Sequence, residues 1–276
     1  MNRLLYVREP RWAQIADRIE TLMASGAFTV VKDEKRVRAG FIRTAYGDRV
    51  FVKRVETRSA VGGWIERLRG SRAQRAVCAA KLLEAAGLHC PAPLAAVELR
   101  SRSGAIQVSY LMSEALEDAR TLSVFALGVR GELRRDMARR IRITKAVAVE
   151  VRRMHHAGLY TRDLQETNLM LAEREAGLAI YFLDLEDFAH ARTVSLERRL
   201  TNLVHLDRSI GRFLGRAGRL RFLYAYLEPR PARAEIRELL TRLRAMRATI
   251  DRRAARRDRG EITNVAGRWH SAPDRS

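Results

Sequence analysis

Cysteine is nearly absent from this chain of 276 residues, which holds only Cys78 and Cys90. Two cysteines without paired cysteine or histidine neighbours make no zinc site. They read as reduced thiols, with Cys78 packed as a small hydrophobe. Long apolar runs are missing too. No stretch of about 18 uncharged apolar residues occurs, which excludes an expected membrane-spanning helix. The first ten residues meet charge at Arg3 and Arg8, too soon for the apolar centre of a signal peptide, so a cytoplasmic location is the expectation. Lysine is confined to positions 32, 35, 53, 81 and 145. A lysine inside an apolar strand therefore stands out.

Acidic residues are outnumbered, 32 against 53 basic ones, for a formal net charge of +21 carried almost wholly by arginine. Such a balance suits nucleic acid, a phospholipid surface or a phosphorylated glycolipid, and does not choose among them. Aromatics are sparse in the arginine-rich C-terminal segment, which argues against stacking on single-stranded nucleic acid. No specific nucleic-acid partner is expected. Hydrophobic residues make up 47% of the chain, enough for a real core, and the length fits one large domain or two lobes around a cleft.

Pro10, Trp12, Ile15, Ile19, Leu22 and Met23 predict a helix over 10–24, closing at Gly26. Residues 28–32, 37–44 and 49–55 read as strands, and the glycines at 62, 63 and 70 as a linker. A helix follows over 71–86, capped by Ser71 and stopped at Gly87. Strand patterns over 94–99 and 105–112 come next. From about 118 the pattern turns helical: 132–157, 196–214, 216–227 and an arginine-rich stretch over 232–257, with an apolar run over 178–183 between them.

Chemistry concentrates after the first long helix of the second half. Asp163 and Asn168 are five residues apart, and Asp184 closes the apolar run. Phosphoryl transfer asks the protein for positioning and charge neutralisation: one carboxylate beside the incoming hydroxyl, another with an amide oxygen for a hard cation. Upstream, the run Val50-Phe51-Val52-Lys53-Arg54 sends Val50 and Val52 to one face of a strand and Lys53 to the other. Glu186 is a further acid two residues after Asp184, open to a subsidiary magnesium role. His155 and His156 read as helix-end cations, and His190 as a surface residue.

These stretches, with Ala79 to Leu88, Pro91 to Pro93, Ser109 to Leu116 and a weaker echo at Arg199 to Leu203, resemble the lipopolysaccharide core kinases that phosphorylate Kdo or heptose, within the protein-kinase-like superfamily. The resemblance spans about residues 28–227. It implies an α+β, two-lobed fold with residues 1–116 as a strand-rich N-lobe with its N-terminal helix and 117–230 as a helical C-lobe with the catalytic loop; composition makes 231–276 a basic helix ending in a disordered tail. The resemblance implies an enzyme that uses ATP and Mg2+ to phosphorylate a sugar hydroxyl of the lipopolysaccharide inner core. Lys53 would meet the α- and β-phosphates, Asp163 would orient or deprotonate the acceptor, and Asn168 and Asp184 would bind magnesium. The segment from Glu114 to Leu116 would offer backbone groups to adenine, with Met112 near the back wall. The expected partner is an anionic glycolipid, lipid A core, met by peripheral contact at the inner face of the inner membrane.

Three positions depart from the family pattern. Thr161 stands where a histidine is usual. Ala76 stands where the helix would offer a glutamate to Lys53, with Glu66 and Glu84 as alternative partners. No glycine-rich loop covers the phosphates; only Gly40 and Gly47 lie between residues 27 and 61. A kinase for another small hydroxyl substrate, a pseudokinase scaffold and a basic nucleic-acid binder are the alternative readings.

Overall fold

The computed structural model describes residues 2–128, 136–175, 177–229 and 231–269. Its first half is a six-stranded antiparallel sheet. In chain order the strands are β1 (Asn2–Val7), β2 (Phe28–Glu34), β3 (Val37–Arg43), β4 (Arg49–Glu56), β5 (Pro93–Arg100) and β6 (Ile106–Glu114), arranged β1-β5-β6-β4-β3-β2. The expected helix over 10–24 breaks at Arg18 into α1 (Pro10–Asp17) and α2 (Ile19–Ala24). Trp12, Ala16, Ile19 and Met23 from this pair cover one sheet face, against Ile42, Val50, Val52 and Met112. β1 is an addition to the sequence reading; it forms an edge strand through its pairing with β5.

The stretch read as a linker is also a helix, α3 (Ala60–Arg69). Ser59 caps it, accepting the Gly62 N–H at 3.1 Å. Its glycines serve close packing rather than looseness: a Cβ on Gly63 would sit 2.4 Å from the Ile106 carbonyl oxygen. Gly63→Ala is expected to destabilise the fold by about 1–3 kcal/mol, read as a lower urea midpoint, because backbone rather than a flexible side chain is in the way.

α4 (Arg72–Ala85) begins where Ser71 accepts the Gln74 N–H at 3.2 Å and ends before Gly87, whose φ is 67°. Its apolar stripe joins two cores. Ala73 and Val77 pack on Ala96 of the sheet, while Ala76, Ala80 and Leu83 join the core of the helical half. Cys78 falls off that stripe and is exposed, against the expectation of a packed thiol. Cys90 is the half-buried one, its thiol pushed up to about 12 by burial and then by the Glu114 carboxylate.

The second half contains β7 (Ala119–Thr121), α5 (Leu122–Gly128), α6 (Met137–His156), β8 (Leu159–Thr161), β9 (Leu169–Arg174), β10 (Gly177–Phe182) and β11 (Phe188–His190). β7, β9 and β10 form a small sheet, and β8 pairs with β11. α7 (Leu196–Tyr226) merges the two helical patterns across a kink at Gly215, and α8 (Arg233–Trp269) follows. α8 is pinned to α7 by Arg247–Asp207 at 2.6 Å and Arg208–Asp251 at 2.8 Å. The tail expected to be disordered lies from residue 270 outside the described residues. No helix among the described residues is long and apolar enough to cross a membrane.

Candidate active site

Lys53 lies on β4, in the interior of the sheet between β3 and β6. Strand alternation buries Val50 and Val52 under α1 and α2 and turns Lys53 to the opposite face, across from Leu111. By the same parity Met112 pairs with Val52 and packs in the core beneath α1 and α2, away from Lys53. The residue beside the lysine is therefore Leu111, not Met112. Lys53 Nζ donates to Asp184 Oδ1 at 2.5 Å and to Glu186 Oε1 at 2.7 Å. Burial alone would lower the ammonium pKa, but the carboxylates of Glu186 and then Asp184 outweigh it and raise the pKa above its ordinary value. Lys53 is thus a held cation at neutral pH.

The missing helix glutamate has its explanation here. Ala76 lines the small space around Lys53, and Glu186 fills the countercharge from the other side, its side chain only 7% exposed. Glu66 instead accepts from Thr57 at 3.4 Å and faces Arg72, while exposed Glu84 faces Arg8. α4 contributes an arginine rather than an acid. Arg75 Nε donates to the Glu186 carbonyl at 3.3 Å, and its Nη1 to the Gly70 carbonyl at 2.8 Å. The Asp-x-Glu spacing after an apolar strand was the signal available in the sequence, and it pointed to the right residue with a different task.

Asp184 itself has φ 51° and ψ 50°, the one non-glycine residue with positive φ among those described. Aspartate tolerates this conformation better than most residues, and such strain is held where the surroundings over-determine it. The turn is tied to the loop before it: Leu183 N–H donates to the Asn168 carbonyl at 2.9 Å, and Arg162 N–H to the Asp187 carbonyl at 3.2 Å. Within that loop Asn168 Nδ2 donates to the Asp163 carbonyl at 3.0 Å, which leaves its Oδ1 as the free acceptor. Gln165 Nε2 donates to Asp163 Oδ1, and His205 Nδ1 on α7 stands 4.0 Å from the same oxygen. Desolvation lowers the His205 pKa, partly offset by the Asp163 charge. The structure therefore brings Lys53 to Asp184, and Asp163 to Asn168, around one turn.

Thr161, at the usual histidine position, is held by a buried network that the sequence did not disclose. Asn202 on α7 donates Nδ2 to the Thr161 carbonyl at 2.6 Å, and its Oδ1 faces the Thr161 N–H at 3.4 Å. That oxygen also lies 3.1 Å from His155 Nε2, and His155 Nδ1 lies 2.8 Å from the Tyr226 hydroxyl. Since Oδ1 can only accept, the neutral ring carries its proton on Nε2 and takes the tyrosine proton at Nδ1. His155 is a structural residue here, and Asn202, within the weak echo at Arg199 to Leu203, is the part of that echo that holds the chain just before Asp163.

At the edge of the cleft, Glu114 spends its backbone N–H on the Ala92 carbonyl at 3.0 Å and its carboxylate on the Ala92 N–H, also at 3.0 Å. Leu116 follows half-buried. The model of the lipopolysaccharide kinase (Kdo/WaaP) family matches residues 31–226, more than half of the chain. The chain is a member of the lipopolysaccharide kinase family. No curated protein sequence gives a significant match. Among solved structures, this kinase is similar to one described as WaaP in complex with acyl carrier protein, with a TM-score of 0.65 and 25% identity over 92% of this chain and 98% of that one. The protein-kinase-like fold expected from the sequence holds.

The kinase also has an apolar cavity of about 680 Å³ among α5, α6, α7 and α8, lined by residues such as Phe125, Val147, Leu206, Phe222 and Leu243. Exposed Arg216 and Arg244 stand among its lining residues. It lies apart from Lys53 and Asp184, neither of which lines it.

Proposed function

We propose that this lipopolysaccharide kinase transfers the γ-phosphate of ATP to a sugar hydroxyl of the inner core, on lipid A core held at the cytoplasmic face of a membrane. The Lys53–Asp184 contact carries the reading, because it joins the lysine of β4 to the acid that follows the Asp163–Asn168 loop. Lys53 would hold the α- and β-phosphates. The adenine would be read by the carbonyl of Glu114 and the N–H of Leu116, since the Glu114 N–H is already spent.

Among the described residues no three of His, Cys, Asp and Glu cluster to hold a metal by themselves. Asp184 and the free Oδ1 of Asn168 are hard oxygen donors that suit Mg2+, which keeps water and phosphate oxygens as its other ligands. Magnesium, when bound there, neutralises phosphate charge. In the transfer the acceptor oxygen bonds to the γ-phosphorus as the bond to the bridging oxygen of ADP breaks, and Asp163 takes the hydroxyl proton. Glu186 keeps Lys53 in place.

The apolar cavity and the solved WaaP complex support a second partner. We propose an acyl carrier protein, its acyl cargo entering the apolar cavity past Arg216 and Arg244. The test is transfer of labelled γ-phosphate from ATP to purified lipid A core, with and without Mg2+ and with and without acylated carrier. Magnesium-dependent label on the core sugar is expected. Label on a different small hydroxyl substrate alone would move the enzyme to another acceptor, and no turnover despite nucleotide binding would make it a scaffold.

A further inference from the structure

Helix α3 is inside out. Val61, Trp64, Ile65 and Leu68 recur at the i, i+3, i+4, i+7 spacing that normally marks a buried stripe. Here that stripe faces solvent: Val61 is 70% exposed, Trp64 43%, Ile65 45% and Leu68 87%. The side of the helix that meets the protein is the glycine side, with Gly63 buried against β6. Close packing through glycine leaves the bulky residues nowhere to go but outward. Scattered exposed hydrophobes need no explanation, but a contiguous apolar stripe on one short helix does.

The flanks of the stripe are cationic. Arg58, Arg67 and Arg69 are exposed, and the Arg67 guanidinium lies 4.9 Å from the Trp64 ring centroid. The one acid of the helix, Glu66, is turned away onto Thr57 and Arg72. An exposed tryptophan among aliphatic residues, ringed by arginines and free of carboxylates, has the chemistry of a bilayer interface: apolar groups below the headgroups, guanidiniums among the phosphates. The C-terminal end of α3 also stands beside the chain that follows Asp184, since Arg67, Leu68 and Arg69 share a surface hollow with Phe188, Ala189 and His190.

We propose that α3 is the membrane-docking element of this kinase, seating Val61, Trp64, Ile65 and Leu68 in the interface of an anionic bilayer. The proposal rests on the reading of the acceptor as a membrane-held glycolipid. Docking through α3 would bring the chain at Phe188 to His190, which follows Asp184, toward that surface.

The test uses the full chain and vesicles of phosphatidylethanolamine with about 30% phosphatidylglycerol, against vesicles of phosphatidylcholine alone. Wild type is expected to sediment with the anionic vesicles, and brominated lipid to quench a fluorescence component that Trp64→Phe removes. The pair Val61→Asp and Leu68→Asp, on exposed positions, should keep the wild-type melting temperature and lower vesicle partitioning about tenfold or more. Phosphorylation of a de-acylated, water-soluble core oligosaccharide should be unchanged in that variant, while phosphorylation of vesicle-embedded core falls with binding. Equal partitioning of variant and wild type overturns the proposal. So does a wild-type dimer in solution that the same pair of substitutions dissolves, since a second copy would then cover the stripe. Vesicle binding that depends on α3 in a protein inactive on every acceptor would sustain the docking element and remove the kinase reading alone.

Discussion

Asp163→Asn is expected to lower kcat by about 10²–10⁴-fold while leaving the affinity for the magnesium nucleotide near wild type. The geometry separates the two effects. Asp163 touches neither Lys53 nor Asp184; its Oδ1 accepts from Gln165 and its carbonyl accepts from Asn168. An asparagine keeps both acceptors, so the loop should stay in place. It loses only the charge and basicity at the second oxygen, where an acceptor hydroxyl would give up its proton. Nucleotide binding by isothermal calorimetry and transfer measured under saturating ATP check the two halves separately. A variant with full turnover would remove Asp163 from the chemistry; a variant that lost nucleotide binding would show the loop to be a structural unit first.

The second large effect is on stability. His155 is 1% exposed, and burial, ahead of every other influence, lowers its pKa to about 4 from the ordinary 6.5. A base whose folded pKa is depressed binds its proton more readily when unfolded. Its stabilising share is therefore fully present above about pH 6.5 and is lost as pH falls toward 4. That share is about 3 kcal/mol. Urea unfolding at pH 7, 5.5 and 4 should show the loss, and His155→Gln should flatten it. Glutamine lacks the titration while still offering one donor and one acceptor. It should also cost about 1–3 kcal/mol at pH 7, because the network to Asn202 and Tyr226 is buried. Part of any acid-induced loss of activity would then be loss of the Thr161 anchor.

Much of this was written in local patterns. Alternation placed Lys53 on the right face of β4, the Ser71 cap and Gly87 bracketed α4, and the spacing of Asp163, Asn168 and Asp184 marked the segments that the fold gathers around one turn. The parts that escaped depend on what meets what across the chain. Nothing near Glu186 reveals that a lysine 133 residues earlier will take it as partner, and the helical patterns point instead to Glu66 and Glu84. Asn202 gives only a weak echo in the sequence, and its task appears once α7 meets β8. α3 was hidden by its two glycines, which lower helix propensity. A stripe that ends up outside also cannot be told from one that ends up inside by period alone.

The lysine's two carboxylates have a consequence for control. Lys53 belongs to the six-stranded sheet, while Asp184 and Glu186 belong to the turn packed on the helical half. The pair is a latch between the two halves rather than a joint within one of them. An outward swing of α4 would cost the Arg75 hydrogen bond to a carbonyl and the packing of Ala76, Ala80 and Leu83, but would carry no carboxylate away from Lys53. What would undo the arrangement is opening of the cleft, which parts the cation from both acids at once. Two carboxylates on one ammonium thus tie the position of Lys53 to the placement of the sheet against the helical half.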